Sequence, residues 1–93
     1  MMQVSADRKC FVCGQENPIG LKANFDIDEK VNRAEARLNL TEQYQGWQGV
    51  VHGGILSALL DEAAVYACRP ISLHAVTASL SVKYRKTVSV DTD

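Results

Sequence analysis

The stretch from Ile55 to Cys68 constrains this chain most. Ile55, Leu56, Leu59, Leu60, Val65 and Tyr66, together with five small Ala/Ser positions, surround the helical wheel, and a helix apolar on nearly all sides is a buried one. The helix is expected to stop at Arg69-Pro70, because proline disfavours helix at the residue before it and has no N–H to donate. The rest of the chain, or a second chain, must cover this helix.

The flanking sequence offers strands for that task. Leu21, Ala23, Phe25 and Ile27 alternate with Lys22, Asn24, Asp26 and Asp28, the period of a half-buried strand over about 21–28. After a polar turn at Asp28 to Asn32, Ala34, Ala36, Leu38 and Leu40 alternate with Arg33, Glu35, Arg37 and Asn39, which predicts a hairpin partner. From Val76 to Val90, Val76, Ala78, Leu80, Val82, Tyr84 and Val88 define a long third strand. Thr41 to Val51 has no period and holds three Gln, two Gly and Trp47, so it reads as a loop, and loops of that length are usually functional. The order strand, strand, helix, strand predicts an α+β fold in which a curved antiparallel sheet wraps a long central helix. No repeat or linker divides the chain, so residues 21–93 form one domain preceded by a cysteine-bearing arm over 1–20.

Composition removes several function classes. The 93 residues carry Lys+Arg 10 against Asp+Glu 11, a net charge of −1, which gives neither the basic footprint of a nucleic-acid binder nor a basic amphipathic tail for a membrane. The polar start, Met1 to Lys9, and the lack of a long apolar run predict no export or spanning segment. Three cysteines are an odd number, which points to the reducing cytoplasm rather than a disulfide framework. So short a chain builds a marginal core, and a partner subunit is expected.

Candidate chemistry gathers around the helix. Gly53-Gly54 opens it, and a helix start presents unpaired N–H groups and a partial positive charge, suited to an oxygen that becomes negative; the plainer alternative is a tight turn. Asp61 and Glu62 stand in mid-helix, where an unpartnered carboxylate is costly, so their face meets a site or, on the plainer reading, solvent or an arginine. Ser57, four residues before Asp61, shares its face. His52 is expected to orient the turn or a substrate carbonyl rather than act in nucleophilic catalysis, because no Ser or Cys stands in a nucleophile elbow. His74 is read as structural or exposed. Cys10-Phe11-Val12-Cys13-Gly14 has the spacing of a metal knuckle, but zinc takes four ligands and a second C-x-x-C is absent, so no metal is expected and the cysteines are read as packing residues. Lys83, Arg85 and Lys86 form a basic group that either lines a solvated edge or meets phosphate.

Two motifs taken together resemble a known family. Cys10-Phe11-Val12-Cys13-Gly14 with Asn17-Pro18-Ile19-Gly20-Leu21, and Gly49-Val50-Val51-His52-Gly53-Gly54-Ile55 running into Leu59-Leu60-Asp61-Glu62-Ala63, are similar to the hotdog-fold acyl-CoA thioesterases of the phenylacetate-degradation type. The resemblance implies a central helix wrapped by an antiparallel sheet, subunits joined as a homodimer or dimer of dimers, and hydrolysis of acyl-CoA at the subunit interface without a cofactor. It implies that the N–H of Gly53 or Gly54 is the oxyanion donor, with His52 beside it, and that Asp61 is the catalytic general base or nucleophile. On the substrate side it points to Gln48 and Glu62, to Thr77 positioning the carboxylate or water, and to Arg85 and Lys86 meeting CoA phosphates. Gly46 stands where many relatives carry Asn, and Thr87 where they commonly carry Pro. The family continues through further strands, so the domain is expected to be incomplete after the third. The competing expectation is an inactive acyl-CoA-binding or assembly domain.

Overall fold

The computed structural model describes residues 7–71 and 75–93. Its regular elements are β1 (Asp26–Asp28), β2 (Arg33–Glu35), a single 3-10 turn at Glu42–Tyr44 and one helix, α1 (Gly53–Ala67). β1 and β2 form an antiparallel hairpin with Asp26 opposite Glu35, Ile27 opposite Ala34 and Asp28 opposite Arg33. Asn32 closes the connection in the left-handed region at φ 50°, a conformation asparagine tolerates better than most residues. The fold is thus a small α+β arrangement with an antiparallel pair and one long helix.

The expected strands are longer than the observed ones. Along 21–25 and 36–40 no ladder forms, and Lys22 sits in the left-handed region at φ 53°, although burial still alternates: Leu21, Ala23 and Leu40 are buried while Lys22, Asn24, Arg37 and Asn39 are exposed. The alternation selects the inward face, whereas a strand also needs a neighbour on its hydrogen-bonding edge. The expected third strand over 76–90 is corrected more sharply. Among the described residues it is an extended segment with one isolated bridge, Val50 to Ser89, and its apolar face is open, with Val76 69% and Leu80 47% exposed.

The aperiodic 41–51 stretch is more ordered than expected. Gln45 bridges Val51, and Val50 donates its N–H to the Trp47 carbonyl at 3.0 Å, closing a turn whose third residue, Gly49, has φ 77°. A positive φ at that position marks a type II turn. The returning chain is pinned by Val51 N–H to Val88 O at 2.8 Å and Val90 N–H to Gly49 O at 3.0 Å, which brings the 88–90 end against the helix entrance.

The core sits where arm, extended chain and helix start meet. Val12, Leu21, Ala23, Leu40 and Val51 are buried together, with Phe25, Leu38, Tyr44, Ile55, Leu56 and Leu59 packed around them. The arm contributes Val12 and two backbone bonds, Leu21 N–H to Phe11 O and Ala23 N–H to Val12 O, both 2.8 Å. The fully buried helix of the sequence reading is corrected: α1 has no buried residue, and Leu60 is 51% exposed. A hairpin of three-residue strands covers one side of a helix; among the described residues, no wrapping sheet forms to cover the rest.

Candidate active site

The entrance of α1 is built by His52. It is the N-cap residue, with φ −60° and ψ 132°, and its Nδ1 accepts the N–H of Gly54 at 2.8 Å. An imidazole accepting at Nδ1 carries its proton on Nε2. The His52 carbonyl accepts from Ile55 at 3.0 Å and Leu56 at 3.3 Å. Of the first four helical N–H groups, three are engaged this way, and that of Gly53 has no partner among the described residues. A Cβ on residue 54 would stand 3.1 Å from Nδ1, so glycine is what lets the ring close on that N–H.

In front of Gly53 lies an open concavity of about 450 Å³ lined by Gly46, Trp47, Val51, His52 and Gly53. Trp47 forms its rim and is 85% exposed. Gly46 packs under the imidazole, where a Cβ would come 3.3 Å from His52 Cδ2. Gln48 is exposed at the neighbouring turn.

The polar stripe of α1 faces the 75–90 segment. Tyr84 donates its hydroxyl proton to the Gly53 carbonyl at 2.8 Å, and having one proton to give, it accepts from Ser57 Oγ in the second contact between them. One turn further on, Thr77 Oγ1 donates to Asp61 Oδ1. Gly53, Ser57 and Asp61 recur every four residues, so they share one face, and the chain running back along that face meets Gly53 and Ser57 through Tyr84 and Asp61 through Thr77. The half-buried Asp61 carboxylate is thereby held at a fixed point. Along the helix, Gly53 and Asp61 stand roughly 12 Å apart at 1.5 Å rise per residue.

Glu62 is not brought to this stripe. Its carboxylate turns to the arm, where it accepts from the thiols of Cys10 at 3.7 Å and Cys13 at 3.6 Å. Burial pushes the Cys13 thiol up to about 11. The adjacent Tyr66 phenol is raised to about 12, first by its hydrogen bond with Cys13 and then by burial. Phe25 stacks on Tyr66 with ring centroids 4.9 Å apart, and the Arg69 guanidinium lies 5.1 Å from the same ring centroid. Arg85 and Lys86 are exposed and join neither ion pair found among the described residues, Arg8–Glu16 and Arg33–Glu35. His74 lies outside the described residues.

Two residues with a place here were not singled out from sequence. By its pattern Tyr84 is an apolar strand position, and its hydroxyl, a polar end on that face, is the signal for a partner. Trp47 was part of an aperiodic loop, and a large exposed aromatic beside a glycine turn was the available signal.

No helix among the described residues is long and apolar enough to cross a membrane. No curated protein and no solved structure matches the chain. A family model described as the thioesterase superfamily matches residues 48–93. That span contains the glycine helix start, the Asp61 carboxylate and the segment that holds it, and over it the chain is similar to the thioesterase superfamily.

Proposed function

We propose that the protein is an acyl-CoA thioesterase of the phenylacetate-degradation type. The observation that carries this reading is the unpartnered Gly53 N–H at the mouth of the concavity, on the same helix as a carboxylate fixed by Thr77. The N–H stabilises the oxygen of the thioester carbonyl as negative charge develops on it. With its own N–H bound to His52, Gly54 is the lesser donor, and His52 orients the turn.

Asp61 serves in one of two balanced ways. As general base it takes a proton from water whose oxygen attacks the carbonyl carbon; as nucleophile it forms an acyl anhydride that water then opens. In both the C–S bond breaks and the thiol leaves with a proton. Gly53 and Asp61 of one chain cannot both approach one carbonyl within about 3 Å when the helix separates them by roughly 12 Å. The site is therefore shared, with Gly53 from one subunit and Asp61 from its partner. Thr77 positions the carboxylate, and Gln48, Arg85 and Lys86, all exposed, are the groups left to meet the substrate's polar and phosphate parts. Glu62 is the weakest of the substrate-side candidates, since its carboxylate is engaged with the arm.

The deciding experiment is release of free thiol from a panel of acyl-CoAs. Turnover should be present in the native chain and reduced at least about a hundredfold by Asp61→Asn, as loss of a general base typically does. A second reading, acyl-CoA binding without turnover, is favoured by Gly46, which leaves no polar side chain over the imidazole. It predicts saturable acyl-CoA binding with no thiol released.

A further inference from the structure

On the side of α1 away from Thr77, three ligating side chains from distant parts of the chain converge. Cys10 Sγ, Cys13 Sγ and a Glu62 carboxylate oxygen all lie within 4.8 Å of one another. Sequence alone argued against a metal because a second C-x-x-C was missing; the third ligand comes instead from mid-helix, 52 and 49 residues further along. We propose that Cys10, Cys13 and Glu62 form a binding site for one Zn²⁺ ion, with water in the fourth position, which ties the arm to α1.

Four observations carry it. The carboxylate presents Oε2 to Cys10 Sγ at 3.7 Å and Oε1 to Cys13 Sγ at 3.6 Å, each close to the S–O edge of about 3.6 Å in a tetrahedron with Zn–S near 2.3 Å and Zn–O near 2.1 Å, and a single carboxylate oxygen lies within 4.8 Å of both sulfurs. The Cys10–Cys13 turn is folded as a knuckle: Cys13 N–H points at Cys10 Sγ at 3.5 Å. Gly14 N–H then closes on Cys10 O at 2.9 Å, and a Cβ on residue 14 would fall 2.4 Å from both Arg8 O and Cys10 N, so only glycine fits after the second cysteine. Finally, the half-buried Glu62 has no cationic partner among the described residues. Thiols are weak donors, a thin return for a partly desolvated carboxylate.

The donor set selects the ion. Two soft thiolates and one carboxylate suit a borderline divalent cation such as Zn²⁺ or its probe Co²⁺, and exclude the all-oxygen shells of Mg²⁺ and Ca²⁺. Both cysteines enter as thiolates, so each ion bound releases two thiol protons to buffer. The ion closes a loop of about fifty residues between the arm and α1.

Titrating the reduced, chelator-treated chain with Co²⁺ tests this. The expected result is one ion per chain, a sulfur-to-cobalt charge-transfer band in the near ultraviolet, intense visible bands of a four-coordinate ion, and displacement by Zn²⁺. Glu62→Gln should keep the band but weaken binding at least about tenfold, the low end of what losing even an outer-shell partner costs. Zn²⁺ should raise the melting temperature of the native chain well above that of Glu62→Gln treated in the same way. Cys13→Ser should abolish the band; should that variant fail to fold, the native chain and Glu62→Gln decide alone. No charge-transfer band in the native chain, one ion shared by two chains, or equal affinity in Glu62→Gln would each overturn the proposal.

Discussion

Thr77 donates its side-chain hydroxyl to the carboxylate of Asp61, sixteen residues earlier on α1. The extended segment after the helix thus returns to the middle of the helix and fixes the one carboxylate on its polar stripe. A hydrogen bond to a charged group contributes about 1.5–3 kcal/mol, equivalent to a factor of about ten to a hundred. Thr77→Val should lower kcat for thiol release by about that factor with little change in KM, and Thr77→Ser should restore most of it. A loss confined to KM would assign Thr77 to substrate binding instead.

The shared site predicts complementation. Gly53→Pro removes the candidate N–H with little disturbance, because proline is favoured at the first helical position and His52, at ψ 132°, already has the extended geometry a residue before proline prefers. Asp61→Asn removes the carboxylate. Each variant alone should be inactive. After subunit exchange, half of the dimers are mixed and each has one intact site, so activity should return to about a quarter of native. Mixed dimers that form and stay inactive, from variants that still bind acyl-CoA, would refute a site built from two chains.

The His52 cap is testable by stability alone. His52→Ala should cost about 1 kcal/mol in urea unfolding, the usual size of a lost side-chain cap. Gly54→Ala should cost a similar amount, because its Cβ would stand 3.1 Å from the imidazole Nδ1 and push the ring off the N–H it covers. The two losses should not add in the double variant, since both remove one contact; full additivity would show that the two residues act independently rather than through that contact.

Tyr84→Phe removes the hydroxyl that joins the Gly53 carbonyl to Ser57. The expected effect is a loss of about 0.5–1.5 kcal/mol, together with faster hydrogen exchange at the Val51 and Val90 amides, which the same segment supplies or receives. Unchanged exchange there would mean that the backbone bonds hold the segment without the tyrosine.

The helix and the inward-facing positions of the chain before it are legible in the sequence. The helix runs Gly53–Ala67, starting at the glycine pair and stopping before Arg69-Pro70, because backbone freedom and proline's missing donor act on nearest neighbours. The alternation over 21–25 and 33–40 emerged as alternating burial even where no ladder formed, since apolar side chains turn from water wherever the local chain allows it. Pairing was another matter: the segment over 75–90 has the pattern of a strand and, among the described residues, one bridge, because ladder hydrogen bonds require a partner edge that pattern does not supply. Asp61 and Glu62 are neighbours in sequence with the same chemistry, and only the tertiary structure parted them, Asp61 to Thr77 and Glu62 to Cys10 and Cys13. The turn of the helix points adjacent residues about 100° apart, but which distant segment waits on each side is decided by how the whole chain packs.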